Sequence, residues 1–512
     1  MGEGTEMMRR RIKQLAACLM AAMIIFTGCG GAGTPGNQSK ELAEDKILKG
    51  NFSNGVSCHD PQIILADGTY YMTGSHMVLA SSDNMNEWEY IANGSASSYI
   101  SNIYSGDLPA FSYVGKNEQG SYSVWAGNIY YNETMGKYCL YFCTSSSYIK
   151  STLALAVSDV PEGPYTFTDT LLYSGFSSSE IEKTDLLQVL GDDADTSRYL
   201  KYGGYDNERW PNCIDPAIFE DESGTLWMVY GSWSGGIFLL EIDKETGLPI
   251  HPEMDEENMV DPYFGYHLIG GGHRACEGPY ITYNKENGFY YLFVSCGALD
   301  REGGYQMRQY RSESPTGPYL DASGQTWKGE AYFENCGVKM MGNYMLPSLE
   351  TAYMAPGGQS VFEAADQNTY ITYHQRFDSG SEYHEPRVHR LYLSDQDWYT
   401  AAPFETGSET VREEGYGEED LAGTFYILDH GMDISAEIHG SAAYSFSEGS
   451  IRGELEGSYE VTEGTNFIHL TLDGVSYSGS LVEMTDEAGN RTLCFMAVGE
   501  NNHTLWGIKY LA

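Results

Sequence analysis

Asp60-Pro-Gln-Ile-Ile-Leu-Ala-Asp-Gly-Thr-Tyr-Tyr-Met-Thr-Gly-Ser75 and Asp215-Pro-Ala-Ile-Phe, continued through Gly224 to Leu226-Trp-Met-Val-Tyr-Gly-Ser232, follow one plan. An apolar strand opens on an acidic residue and Pro, turns at polar residues with Gly, and returns as an aromatic-rich strand ending in small polar residues. Each copy is a β-hairpin by pattern. Three further stretches fit the plan: Asn128-Ile-Tyr-Tyr through Gly136 to Ser145, Glu277-Gly-Pro-Tyr-Ile through Gly288 to Ser295, and Gln359-Ser-Val-Phe through Asn368 to Gln375.

Units recurring at roughly 60 to 90 residues, each too small to bury its own faces, point to a radial array of four-stranded blades. Five copies predict an all-β, five-bladed β-propeller over residues 50–406; the alternative is a β-sandwich whose hairpins resemble one another by chance. Residues 407–420 are rich in Gly and Glu and read as a linker. From 421 to 512, short alternating strands such as Phe467-Ile-His-Leu-Thr-Leu and Thr492-Leu-Cys-Phe-Met-Ala-Val, separated by Gly, Asn and Asp turns, predict a small β-barrel or sandwich.

The other end of the chain reads as targeting sequence. Arg9, Arg10, Arg11 and Lys13 precede an apolar run from Leu15 to Phe26 that is too short for a mature span. The run ends in Thr27-Gly28-Cys29, which resembles a bacterial lipobox. Residues 1–28 are therefore expected to be a lipoprotein signal peptide, with Cys29 lipidated. Residues 29–49, polar and without apolar period, are expected to be a flexible tether. The acidic stretch before Met7 is unusual for a leader and places the start of translation at Met7 or Met8 as an alternative.

A formal charge of −43 disfavours nucleic acid and anionic membrane surfaces as partners of the folded part. Membrane association is expected only through the N-terminal lipid, on an exported, cell-surface protein. A neutral polymer is compatible with the charge, and 41 Tyr and 8 Trp suit sugar recognition, although most such rings serve strand cores. The cysteines sit singly in apolar runs without CxxC spacing, so they read as small buried hydrophobes rather than as a disulfide framework.

The chemistry lies at the openers of the five repeats: Asp60, Asn128, Asp215, Glu277 and Gln359. In a propeller the innermost strands line one channel, so the three carboxylates among these residues share a cavity. A lone Asp-Pro is ordinarily a turn or a cap; three carboxylates at one repeat phase are harder to explain that way. Such a cluster in a dry cleft cannot be uniformly ionised, and glycosidic cleavage needs one protonated acid and one ionised base or nucleophile.

The stretch 55–404 resembles glycoside hydrolase family 43, and within it the two-domain endo-1,5-α-L-arabinanases. The resemblance rests on His59-Asp60-Pro61, Ile214-Asp215-Pro216, Tyr230-Gly-Ser-Trp-Ser-Gly-Gly236, Glu277-Gly-Pro-Tyr280, Gly303-Gly-Tyr-Gln306, Tyr373-His374-Gln-Arg-Phe377 and Arg387-Val-His389. It implies an inverting enzyme with Asp60 as general base, Glu277 as general acid and Asp215 raising the acid's pKa. It also implies a channel-bound cation, calcium, beside His374. Trp125, Asn128, Trp233 and Ser234 are the candidates for substrate binding, with packing roles as the alternative for the two Trp. Trp125-Ala-Gly-Asn128 and Ala355-Pro-Gly-Gly-Gln359 depart from the family's pattern in blades two and five. The substrate so implied is arabinan or a related neutral cell-wall polysaccharide, acted on by a monomer; an exo-acting arabinosidase or xylosidase and a non-catalytic glycan-binding lipoprotein are the competing readings.

Overall fold

The computed structural model describes residues 41–93, 104–105, 109–147, 149–328 and 335–512. The leader, Cys29 and the greater part of the proposed tether lie outside the described residues.

Among the described residues, five largely antiparallel blade sheets follow one another along the chain. The first is Gln62–Ala66, Thr69–Thr73, Val78–Ser82 and Glu89–Asn93. The remaining four have innermost strands Ser123–Asn132, Ala217–Glu220, Cys276–Asn284 and Tyr353–Glu363. These innermost strands contact one another in sequence order, and the fifth returns to the first, closing a five-bladed propeller. Their side chains alternate between core layers on the two faces of each blade. Leu79, Leu140, Leu155 and Tyr230 belong to one such layer, and Val229, Leu239, Leu292 and Tyr310 to another. The segment 176–210 packs on blade three, where Tyr199 and Trp210 lie against Phe264.

The C-terminal strands form a closed barrel of eight from Gly423–Asp429 to Thr504–Leu511, in which the first strand pairs with the last at Tyr426 and Ile508. Phe425, Phe446, Leu481 and Phe495 fill its interior. Val482, Cys494, Met496 and Trp506 belong to a second core shared with Met340, Tyr344, Tyr353 and Tyr399 of the propeller. Strands 475–485 and 491–499 are thus buried on both faces, which explains their nearly continuous apolar sequence.

Two stretches expected to be loose are tied down. Residues 41–50 are not a free tether: Leu42 N donates to Tyr510 O at 3.0 Å, Leu48 N to Asn490 Oδ1 at 2.9 Å, and Gly50 N to Ser348 O at 2.9 Å. Residues 407–420 lie along the barrel, where Thr410 and Glu483 exchange backbone hydrogen bonds and Arg412 pairs with Glu483 and Asp420. In both cases the partners come from distant sequence and satisfy backbone groups that a solvated linker would leave to water. All eight described cysteines are free, and seven of them are buried, as small hydrophobes would be.

One charged cluster sits under blade five, facing the barrel. Arg387 is fully buried between Glu385 at 3.1 Å and Glu405 at 3.2 Å. Glu487 of the barrel accepts from Tyr353 Oη at 2.7 Å, and burial pushes its carboxyl up to about 7. Removing one partner of a buried ion pair leaves uncompensated charge. Arg387→Leu is therefore expected to cost about 3–5 kcal/mol, read as a fall in the urea midpoint at unchanged m-value.

Candidate active site

The inner strands share a defect. In blades two, four and five the ladder skips between Trp125 and Asn128, between Glu277 and Tyr280, and between Gly357 and Ser360. At each skip one residue is left-handed: Ala126 (φ 41), Gly278 (φ 56) and Gly358 (φ 59). Asp60 (φ 53) and Asp215 (φ 56) hold the same position in blades one and three, where Ser75 N bonds His59 O and Gly231 N bonds Ile214 O, both at 2.9 Å. Asp tolerates this conformation better than most side chains. Pro61, Pro216 and Pro279, which have no N–H, follow where no ladder bond is made.

This register corrects the expected phase. Asp60 and Asp215 are true equivalents, but Glu277 stands one residue earlier, on the rung of His59, Trp125, Ile214 and Gly357. Gln359 stands one residue later and Asn128 two later. Glu277 therefore enters the site from a different rung than the two aspartates.

Each carboxylate has its own set of donors. Asp60 Oδ2 faces His59 Nδ1 at 2.8 Å and accepts from Ser75 Oγ at 2.5 Å. Asp215 Oδ2 accepts from Gly278 N at 3.1 Å. Glu277 accepts from Tyr305 Oη at 2.9 Å and from Ser232 Oγ at 3.0 Å. Ser75, Ser232 and Ser295 are the small polar residues that end the second strands of the repeats. Ser295 Oγ in turn accepts Gly358 N at 2.8 Å and donates to Gln359 Oε1 at 2.7 Å. The repeat plan contained these donors, but nothing in it marked their partners.

The environments drive the three groups apart. Burial raises Asp60, but the His59 imidazole and the Ser75 hydroxyl outweigh it and hold the carboxyl below the usual range. Burial, then the charges of Glu277 and Asp60, push Asp215 well above it, against a single bond from Gly278. Burial also raises Glu277, and Asp60 adds to this, while Tyr305, Ser232 and His59 oppose. One carboxylate is thus held ionised beside a pair that retains a proton, the division of labour that acid–base cleavage of an acetal requires.

Asp60, Asp215 and Glu277 line a cleft of about 660 Å³, with Trp125, Tyr305, Arg376 and His384 among its walls. Trp125 is held by Nε1 donating to Ser145 Oγ at 2.8 Å, and its ring lies 4.7 Å from that of His76. Asn128 is buried and lines the narrow axial channel instead; its Oδ1 accepts Ile218 N at 3.3 Å, joining blades two and three. Trp233 (φ 48) and Ser234 (φ 41) form a left-handed turn beside His273 and are not among the residues lining the cleft. His374 is fully buried beneath it, its ring stacked 3.8 Å from that of His59 and 5.6 Å from that of Tyr305.

Comparison with known proteins places this geometry. The profile of glycosyl hydrolases family 43 matches residues 177–399, and that of a C-terminal lipocalin-like domain matches residues 403–507. Extracellular endo-α-(1→5)-L-arabinanase 2 of Bacillus subtilis (strain 168) is 33% identical over 474 residues, which is 89% of this chain and 93% of that protein. This chain belongs to glycosyl hydrolases family 43. The crystal structure of the endo-1,5-α-L-arabinanase from Thermotoga petrophila in complex with Tris superposes with a TM-score of 0.78 at 31% identity, over 90% of this chain and 100% of that one. A family 43 protein from Bacillus licheniformis gives 0.77 at 34% identity, over 90% and 99%. The family 43 chain described here is a glycoside hydrolase whose fold and domain order match these relatives.

Gly358 tests how tightly the site is built. A side chain there would collide with Asp60 Oδ1 and stand 2.9 Å from His374 Nδ1. Displacing a reacting group by about an ångström costs on the order of 100-fold. Gly358→Ala is expected to lower kcat by about that factor or more, with circular dichroism unchanged.

Proposed function

We propose that this family 43 enzyme cleaves α-1,5-linked L-arabinan internally and with inversion, Asp60 acting as base, Glu277 as acid and Asp215 as the neighbour that keeps the acid protonated. The observation that carries the reading is the opposite displacement of Asp60 and Glu277 within one cleft, Asp60 lowered by its His59 and Ser75 partners and Glu277 raised by burial and the charge of Asp60. The substrate follows from the relatives, which are named for endo-acting cleavage of α-1,5-linked arabinan across nine-tenths of this chain.

In this mechanism Asp60 takes a proton from a water molecule as that water attacks the anomeric carbon. Glu277 delivers its proton to the departing glycosidic oxygen. His59 and Ser75 fix the base by two hydrogen bonds to one oxygen, leaving Oδ1 for the water. Tyr305 and Ser232 hold the acid, one on each oxygen. Asp215 and Glu277 are costly to ionise together, so the pair is expected to keep one proton, which in this reading the acid carries to the leaving oxygen.

Asp60→Asn, Asp215→Asn and Glu277→Gln are each expected to reduce reducing-end release from linear arabinan by about 10³-fold or more. The wild type is expected to give a ladder of intermediate oligosaccharides early in the reaction. Steady release of a single short product instead would assign exo action.

A calcium ion beside His374 completes the reading; imidazole is a poor ligand for so hard a cation, so few protein ligands are expected. Burial first, and then the neighbouring His59, Arg376 and His384 side chains, hold the His374 imidazole well below the usual range, hence neutral. With Nδ1 accepting from Asp60 N at 3.3 Å, the neutral ring carries its proton on Nε2, which is buried with no hydrogen-bond partner among the described residues and so is placed to meet water of the ion's shell rather than the ion itself. The axial channel of about 40 Å³, lined by Asp60, Asn128, Asp215 and Gln359, has room for a few water molecules at most. A cation held near His374 would supply positive charge that favours an ionised Asp60. Dialysis against a chelator is expected to lower kcat about tenfold or more, with recovery on adding calcium, and His374→Ala to abolish the response. Full activity after chelation would remove the ion from the mechanism.

The relatives are named extracellular, which supports export of this chain. Anchoring through a lipid on Cys29 rests on the lipobox alone.

A further inference from the structure

Tyr305 holds the proposed acid, so its own support matters to the reaction. It follows Gly303-Gly304, a turn closed on Ala298 by Ala298 N donating to Gly303 O at 3.0 Å, and it leads into the strand Gln306–Ser312. The far side of this turn is covered by the barrel. The connection between the barrel strands Gly423–Asp429 and Ala442–Ser447 leaves the barrel and crosses to blade four. At Gly304 (φ 70) the two backbones meet: a Cβ would lie 2.7 Å from Ser435 N and 2.9 Å from Ile434 C.

The contact is locked on both sides of Tyr305. Gln306 Nε2 donates to Asp433 O at 2.8 Å, and Arg308 Nη2 donates to Met432 O at 2.7 Å. Lys339 Nζ donates to Asp433 O at 2.9 Å and to its Oδ1 at 3.1 Å. Gln306, Arg308 and Lys339 are all buried, so these bonds are shielded from water. Asp433 also fixes its own segment, accepting from Ser435 Oγ at 2.5 Å and pairing with His439 Nε2 at 2.9 Å. His439 in turn pairs with Tyr344, which is bound to the inner strand of blade five.

We propose that the C-terminal barrel is a working part of the active site: its 430–440 segment, pinned through Asp433, braces the Gly304 turn and so holds the Tyr305 hydroxyl on Glu277. Asp433 is then a positioning residue acting through Tyr305, and the barrel's role is to stiffen the acid's support rather than to bind glycan. This rests on Glu277 being the acid.

The test reads the basic limb of the kcat/KM pH profile. The groups that surround Glu277 are Asp60, Asp215, His59 and Tyr305, with the Cys276 and Cys296 thiols behind it. Tyr305 donates to the ionised form of Glu277, so its loss raises the acid's pKa and moves the limb to higher pH. Tyr305→Phe is expected to shift it up by about half a unit or more, with a lower kcat. Asp433→Ala is expected to shift the limb in the same direction and lower kcat about tenfold, and the Tyr305→Phe/Asp433→Ala double variant to move it no further than Tyr305→Phe alone. Gln306→Met, which removes only the bond to the Asp433 carbonyl, carries the same expectation should Asp433→Ala fail to fold. The brace is overturned if these variants lose thermal stability while the limb stays at its wild-type position, or if the two shifts add in the double variant. A Tyr305→Phe enzyme with an unmoved limb would instead overturn the acid assignment on which the brace rests.

Discussion

Five strands that converge on one axis crowd their backbones together, and each carries a residue in the left-handed region directly after the rung of His59, Trp125, Ile214, Glu277 and Gly357, where its ladder is broken. Two of those residues are glycines, one is Ala126, and two are Asp60 and Asp215. A left-handed aspartate carries strain of order 1 kcal/mol that its surroundings must hold in place. Here the blade closure holds it. Gly358 leaves the gap that Asp60 Oδ1 occupies, and Asp60 N donates to His374 Nδ1 at 3.3 Å, so blade five receives blade one at the point where the base sits. The site's geometry is a by-product of closing the ring.

The same defect separates the acid from the base. Because Glu277 precedes the break rather than occupying it, it keeps a ladder position opposite Ser295 and takes its hydrogen bonds from Tyr305 and Ser232. Asp60, at the break itself, has an imidazole and a hydroxyl on one oxygen. Two carboxylates that are both negative in water thus sit a rung apart, where the donors of Asp60 outweigh its burial and those of Glu277 do not, and their proton affinities diverge. Asp215 takes the equivalent of Asp60's position with only one N–H to satisfy it. Burial therefore dominates there, and the excess proton of the cluster stays on the side of Asp215 and Glu277.

Much of this was legible in the sequence because the blade hairpin repeats in both period and composition: alternation marks the strands, Gly marks the turns, and Asp-Pro marks the break in blades one and three. The phase of Glu277 was not legible. Matching copies by chemistry aligns carboxylate with carboxylate, whereas the ladder aligns Gly278 with Asp60, and a one-residue bulge leaves no trace in composition. Trp233 and Asn128 read as sugar contacts by residue type, yet Trp233 is not among the residues lining the cleft and a bond across blades commits Asn128 to the channel. Residues 41–50 read as tether because their partners, Ser348, Asn490 and Tyr510, are remote in the chain.

The barrel shows what local pattern could and could not carry. Its strands were visible, but Thr492-Leu-Cys-Phe-Met-Ala-Val looks alike whether the strand faces one core or two. In the folded protein Phe495 fills the barrel while Cys494 and Met496 pack on the propeller, so the barrel has no free face along these strands. A domain seated in this way cannot swing as a tethered binding module does. Its buried Glu487 lies in the charge cluster of Arg387, and its 430–440 segment spends its backbone carbonyls on Gln306, Arg308 and Lys339. Such polar contacts across an apolar seam contribute less to adhesion than to register, since each fixes one rotation of barrel against blade. The residue that register serves most directly is Tyr305, which touches the acid, the His374 ring and, through Gly304, the barrel.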